Sequence, residues 1–144
     1  MKKLTLLTVT IFAGAVLLAF SVTASEAMNM YGKKIHNSKV NGYEFSYSLI
    51  DMEKKAEEAG LSQDMSNTYH LMVHIKKEGE FVNNLKAGFV VEKPDGTVSK
   101  AMAMGMSNGY GADVHMPDKG KYKIKVKAVK NGEKLMDSFT YDLK

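Results

Sequence analysis

The sequence contains no cysteine, no arginine and no tryptophan, and it has only two prolines. Without cysteine the chain has no disulfide, thiolate zinc site, iron–sulfur cluster or cysteine nucleophile. Because all 20 positive side chains are lysines, it also lacks the guanidinium fork that grips phosphate and carboxylate groups bidentately. The absence of arginine therefore argues against nucleic-acid and nucleotide recognition.

The residues that are present fit one folded domain. The chain has 144 residues, of which 44% are hydrophobic and 25% are charged, as is usual for a compact globular domain. Methionine is the unusual component, with 11 residues. The methionines therefore become the first place to look for a function.

The first 27 residues have the pattern of a signal peptide. Lys2 and Lys3 precede an uncharged apolar run over residues 4–20, and small residues follow with cleavage expected after Ala24 or Ala27. The alternative is an uncleaved membrane anchor, but the apolar run is barely long enough to span a bilayer core of about 30 Å as a helix. No cysteine follows the run, which excludes a lipoprotein. We expect export to a bacterial periplasm and no stable membrane span after cleavage.

Period-two alternation of apolar and polar residues dominates the rest of the chain. We assign residues 28–41 to a partly flexible N-terminal segment and residues 42–144 to the folded domain. A short helix is expected at 52–59, with Asp51 as N-cap and Gly60 just after its end. Strands are expected at 43–49, 69–75, 86–93, 97–106, 110–116 and in a hairpin over 122–143. This spacing predicts an all-β, immunoglobulin-like β-sandwich of about seven strands with one short helix after the first strand.

The last hairpin has the strongest turn signal, Asn131-Gly132. A two-residue loop there predicts the pairs Ala128–Leu135, Ile124–Phe139 and Tyr122–Tyr141, and it leaves Val126 opposite Asp137 as one poor match. The lysine-rich stretch 119–130 belongs to this hairpin. Alternation places its lysines on one strand face, which we interpret as a solvated face rather than a nucleic-acid patch.

No catalytic motif is present. The glycine-dense segment 105–111 lacks the lysine and the following helix of a phosphate-binding loop, and no nucleophile elbow occurs. Glu57 and Glu58 are expected to be solvated on the helix. The sequence therefore predicts a non-enzymatic protein with no organic cofactor.

Two short motifs carry ligands for soft metal ions. His70-x-Met72-x-His74 and Met102-x-Met104-x-Met106 each place three side chains on one face of a strand, because residues i, i+2 and i+4 point the same way. Thioether sulfur binds Cu(I) well and hard ions poorly, and imidazole accepts both copper oxidation states. Met28 and Met30 repeat the same spacing nearer the N-terminus.

The alternative for the second motif is core packing, since methionine often fills apolar gaps. Likewise, His70 and His74 fit surface positions without a ligand role. The hairpin register separates the two interpretations of the methionines. A two-residue loop at Asn108-Gly109 puts them on the polar face, with Met102–His115, Met104–Asp113 and Met106–Gly111 as pairs. A three-residue loop over 107–109 puts them on the core side, with Met106–Tyr110, Met104–Ala112 and Met102–Val114 as pairs. We favour the first register.

The stretch Tyr-His-Leu-Met-Val-His-Ile at 69–75, with Ala-Gly-Phe-Val-Val at 87–91 and residues 100–111, resembles the YtkA-like group of small exported bacterial proteins. The resemblance implies an immunoglobulin-like β-sandwich and a link to periplasmic copper handling alongside the CopC-like proteins. Copper sites of such proteins use His and Met, which here match His70, Met72, Met102, Met104 and Met106. CopC-like proteins commonly bind Cu(II) through an N-terminal histidine, and neither predicted mature terminus has one.

We therefore predict a periplasmic protein that binds Cu(I), or its mimic Ag(I), and buffers it or delivers it to another periplasmic metal-handling or efflux protein. The predicted metal ligands are His70, Met72, His74, Met102, Met104, Met106 and His115. The second hypothesis is an envelope interaction module without metal, which uses a methionine-rich surface or an exposed strand edge.

Overall fold

The computed structural model describes residues 32–144. This part of the chain contains nine strands and one helix: β1 (Lys33–Val40), β2 (Tyr43–Asp51), α1 (Met52–Glu58), β3 (Thr68–Lys77), β4 (Glu80–Phe81), β5 (Lys86–Glu92), β6 (Val98–Met106), β7 (Gly109–His115), β8 (Gly120–Lys130) and β9 (Glu133–Leu143). The predicted signal peptide and the Met28 and Met30 pair lie outside the described residues.

The strands form two antiparallel sheets joined by one strand. Sheet A contains β1, β2, β3 and β7 in that order, with β4 paired to β3, and sheet B contains β6, β5, β8 and β9. Strand β6 belongs to both sheets, because residues 98–103 pair with β5 and residues 104–106 pair with β7. The predicted all-β sandwich is confirmed.

One hydrophobic core lies between the sheets, and alternation along each strand supplies it. On β3 the side chains of Leu71, Val73 and Ile75 are completely buried, while their neighbours face away from the core. Each such aliphatic side chain contributes about 1.5–3 kcal/mol by leaving water. The other fully buried large side chains are Phe45, Tyr47, Phe89, Val91, Met116, Tyr122, Ile124, Val126 and Leu135.

Helix α1 begins at its predicted cap. The Asp51 carboxylate accepts a hydrogen bond from the backbone N–H of Lys54 at 3.1 Å, which satisfies one of the donors left free at a helix start. After the helix, Gly60 adopts a left-handed backbone with φ of +67°. Ala56 is the buried residue of this helix.

The strand count is higher than predicted. Strand β1 lies within the N-terminal segment where no strand was predicted, and the two-residue β4 was also missed. The helix therefore follows the second strand of the chain rather than the first. Within residues 32–144 no helix is long and apolar enough to cross a membrane.

The two hairpin predictions had different outcomes. In the β8–β9 hairpin, Ala128, Ile124 and Tyr122 pair with Leu135, Phe139 and Tyr141 as predicted. In the β6–β7 hairpin neither predicted register occurs, because the loop is Ser107-Asn108 and both loop residues have positive φ. The observed pairs are Met104–Gly111, Gly105–Tyr110 and Met106–Gly109. The pairs expected from both registers are wrong, but the methionines lie on the outer face, as in the register that we favoured.

Asp137, the poor match in the β8–β9 hairpin, joins the two ends of the strand order. Its carboxylate accepts hydrogen bonds from Ser38 on β1 and from the Tyr47 hydroxyl, the latter at 2.8 Å. Burial opposes ionisation of Asp137, but these hydrogen bonds outweigh it and lower the pKa of the carboxyl. Next to it, His36 of β1 stacks on Phe139 of β9 with ring centroids 4.3 Å apart. We call these five residues the β1–β9 seam.

Candidate metal centre

The His-x-Met-x-His motif lies on the outer face of sheet A. The cross-strand partners of His70, Met72 and His74 on β2 are Ile50, Ser48 and Ser46. The prediction that these three side chains share one strand face is confirmed by the burial of the alternate residues in the core. Met72 is only 3% exposed although it faces away from the core. Neighbouring side chains therefore cover it on the outer face.

Two glycines of β7 make room for the histidine rings. A Cβ atom added to Gly111 would overlap Nε2 of His70, and one added to Gly109 would lie 2.9 Å from Nε2 of His74. Each imidazole thus rests directly on glycine backbone, and both glycines are buried. A larger residue at either position would push the ring above it away from the sheet.

His70 is oriented by a carboxylate. Its Nδ1 lies 2.6 Å from Oδ1 of Asp113, the residue opposite it on β7. The carboxylate accepts the Nδ1 proton, and the lone pair is then on Nε2. This Nε2 is buried and has no hydrogen-bond partner among the described residues. Metal-binding histidines have this arrangement, with one ring nitrogen on a carboxylate and the other available to the metal.

A second polar atom without a partner lies close by. Among residues 32–144, the Ser48 hydroxyl and Nε2 of His70 are the buried side-chain polar atoms that have no hydrogen-bond partner. Ser48 is the cross-strand neighbour of Met72. Each unsatisfied buried group costs about 1–3 kcal/mol. The fold therefore retains this cost at two residues next to Met72, one across the strand pair and one two positions along β3.

His74 has the protonation state that a ligand needs. Burial lowers the pKa of His74 from 6.5, Lys76 lowers it further, and a hydrogen bond with the Ser107 backbone opposes the change. His74 is therefore neutral at pH 7. Metal binding requires neutral imidazole, because a proton and a metal ion compete for the same lone pair.

The methionines of β6 are solvent-exposed. Met102, Met104 and Met106 are 75%, 71% and 36% exposed, so the core-packing alternative is wrong for all three. Met104 lies opposite Gly111, and Met106 lies opposite Gly109. Met102 pairs instead with Gly88 of sheet B, and its sulfur lies 3.4 Å from where a Cβ of Gly88 would be.

Three potential ligands converge on Gly111. Met72 and Met104 are its cross-strand neighbours on the two sides, and the ring of His70 covers it. We call His70, Met72, Met104 and the orienting Asp113 the Gly111 cluster. Its donors are one imidazole nitrogen and two thioether sulfurs, a set that suits Cu(I) or Ag(I). Residues 32–144 contain no group of three His, Cys, Asp or Glu side chains that could hold a metal.

Of the remaining predicted ligands, two lie next to this cluster and two lie further away. His74 and Met106 flank Gly109, one step along β7 on the same face. His115 is exposed opposite Thr68, at the far end of β7, and Met102 is directed towards sheet B. Their ligand roles stay predictions.

Sequence reasoning assigned no ligand role to Ser48, Asp113, Gly109 and Gly111, although the favoured register placed Asp113 beside Met104. The signal for three of them is the alternation Gly-x-Gly-x-Asp on β7, which puts two gaps and one carboxylate on a single face. Only the pairing of β7 with β3 shows that this face adjoins the two histidines.

No protein-family model matches the chain, and no curated protein matches it by sequence. Solved structures do match by shape. A copper-bound variant of P19 from Campylobacter jejuni has a TM-score of 0.56 and 15% identity, over 78% of this chain and 97% of that one. A copper-bound variant of FetP from uropathogenic Escherichia coli strain F11 has a TM-score of 0.54 and 17% identity, over 78% and 95%. Copper-reconstituted P19 from C. jejuni gives 0.54 and 16%, over 78% and 94%. The chain therefore has the fold of P19 and FetP.

Proposed function

We propose that this protein binds a copper ion as Cu(I) at the Gly111 cluster and buffers it or passes it to a partner. The observation that carries the proposal is the buried Nε2 of His70, which has no hydrogen-bond partner while Asp113 holds Nδ1. The copper bound to P19 and FetP, which share the fold, supports copper as the metal.

Each residue of the cluster has a defined task in this proposal. Asp113 keeps the Nδ1 proton in place and so directs the lone pair of Nε2 outward from Asp113. Met72 and Met104 supply neutral sulfur donors, which prefer soft monovalent ions. Met72 is buried and Met104 is exposed, so one thioether is fixed within the sheet face and the other is accessible to an incoming partner.

The role is binding rather than catalysis, and it takes place after export. The predicted signal peptide at residues 1–27 supports delivery of the chain to the periplasm. The partner that receives the ion is another metal-handling or efflux protein, which exchanges Met and His ligands with the Gly111 cluster.

Titration of the purified mature protein with Cu(I) in competition with a chromogenic chelator tests the proposal, and Ag(I) serves as the redox-inert parallel. We expect one ion per chain. His70→Gln removes a ligand, so it should weaken binding by more than about 10–100-fold, the range for loss of a residue that only orients a ligand. His36→Gln, a histidine change in the β1–β9 seam, should leave the affinity unchanged. Failure to retain Cu(I), or equal losses in the two variants, would overturn the proposal.

A further inference from the structure

The outer face of sheet B contains an apolar groove that the metal proposal does not use. Gly88 of β5 lies between Met102 on β6 and Lys127 on β8, and Met136 of β9 lies beyond Lys127. Because Gly88 has no side chain, this row of the sheet has a depression at its centre. The resulting groove has a volume of about 480 Å³.

The walls of the groove are apolar, and its charged residues have one sign. Met102 and Met136 are 75% and 65% exposed, and Val90 and Val129 also line it. No acidic residue lines the groove. The lining is completed by four lysines, Lys86, Lys100, Lys125 and Lys127. Alternation along β8 predicts that its lysines form a solvated face. That interpretation does not account for the two exposed methionines, which lie on β6 and β9.

The combination of features indicates the chemistry of a partner. Methionine side chains are flexible and polarisable, so two of them adapt to an inserted apolar side chain. The lysines complement carboxylates on either side of that insertion. A symmetric dimer through this face does not fit, because the same face of the second copy has the same positive charge. A lipid surface fits less well than a polypeptide, because a bilayer plane does not enter a groove.

We propose that this groove is a docking surface for an acidic segment of another protein. The segment places one apolar side chain against Met102, whose sulfur covers Gly88, on the side that faces Met136, and pairs its carboxylates with the surrounding lysines. Met102 and Met104 are two residues apart on β6, so the docked segment lies beside the Gly111 cluster. The docking surface itself requires no metal.

Short synthetic peptides test the proposal by NMR chemical-shift titration of the metal-free protein. The probe peptide contains glutamates around one central phenylalanine, and two comparison peptides replace either the phenylalanine by serine or the glutamates by lysines. We expect shifts at Gly88, Val90 and Val129 with the probe peptide. Both comparison peptides should bind several times more weakly, because each lacks one half of the complementarity.

Matched protein variants locate the effect. The double change Lys125→Gln and Lys127→Gln removes two groove charges, and Lys121→Gln with Lys123→Gln removes two charges from the same face of β8 outside the lining. The groove variant should lose about fivefold in affinity, the equivalent of two modest ion pairs, and the flanking variant less than twofold. Met136→Gln should also weaken binding of the phenylalanine peptide but not of the serine peptide.

Several outcomes would overturn the proposal. Equal losses in the two lysine variants would show a general charge effect, and unchanged shifts around Gly88 would show that the groove is not used. Binding to mixed phosphatidylcholine and phosphatidylglycerol vesicles but not to the peptide would assign the face to a membrane instead. Unfolding curves of each variant verify that the fold is retained.

Discussion

Replacing Gly111 by alanine tests whether the bare backbone under His70 is needed for metal binding. The added methyl group would overlap Nε2 of His70, so the ring has to rotate away from β7. Rotation breaks the 2.6 Å hydrogen bond to Asp113 and moves the only buried, unpartnered nitrogen of the described histidines. The ligand set then loses its imidazole without any change to a ligand residue.

The expected cost in stability is small, because two effects oppose each other. The hydrogen bond to Asp113 is charge-assisted, but the Asp113 side chain is 56% exposed, so water replaces the lost partner and the loss is about 1 kcal/mol. Alanine in a strand interior regains about 0.5–1 kcal/mol over glycine, because the unfolded chain has less freedom to lose. The free energy of unfolding should therefore change by less than about 1 kcal/mol. Cu(I) affinity should fall by about 10–100-fold, which corresponds to about 1.4–2.8 kcal/mol.

Chelator competition with Cu(I) gives the affinity, and urea unfolding gives the stability of the same preparation. Gly105→Ala is the matched control, because a Cβ there would meet only Tyr110, at 3.9 Å. Its Cu(I) affinity should equal that of the unmodified protein. The reasoning is refuted if Gly111→Ala binds Cu(I) normally, or if both alanine variants lose the same affinity.

Three further changes test other parts of the structure. Met104→Leu should weaken Cu(I) binding with a stability change within about 0.5 kcal/mol, whereas Met136→Leu, an equally exposed methionine of sheet B, should leave binding intact in the same titration. Burial lowers the pKa of His74 in the folded protein, so the unfolded chain protonates this histidine at a higher pH than the folded chain does. The free energy of unfolding should therefore decrease as the pH falls below 6.5. Urea unfolding between about pH 8 and 5 should show a weaker decrease in His74→Gln. Asp137→Asn should destabilise the fold by about 1–3 kcal/mol, because the hydroxyls of Ser38 and Tyr47 lose their charged acceptor. Thermal unfolding at pH 7 measures this loss, with Asp142→Asn as the exposed control.

The parts of the fold that were predictable depend on local signals. The β8–β9 register follows from Asn131-Gly132, because both residues accept the positive φ that a two-residue turn requires. The same rule chose Asn108-Gly109 for the β6–β7 turn and was wrong. Gly109 is used there for its missing side chain, under the ring of His74, and the turn moves to Ser107-Asn108. Only the contact of Gly109 with His74 of β3 shows why a residue without a side chain is needed at this position.

The parts that were missed depend on distant partners. Strand β1 has few apolar residues, and its packing comes from contacts such as His36 with Phe139, which are far away in the sequence. In the site, alternation correctly placed His70, Met72 and His74 on one face. It gave no information on the pairing of β3 with β7, so the convergence on Gly111 was not predictable.

The β1–β9 seam has a consequence for aggregation. Strands β1 and β9 are the two ends of the strand order, and the outer edge of each carries backbone groups that another chain could pair with. In this fold the two edges face each other, held by the Ser38 and Asp137 hydrogen bond and by the stacked His36 and Phe139 rings. Each edge thus shields the other from intermolecular strand pairing. Loosening the β1–β9 seam would expose the unpaired backbone groups of both edge strands at once. Self-association through these edges would then begin before the rest of the sandwich unfolds.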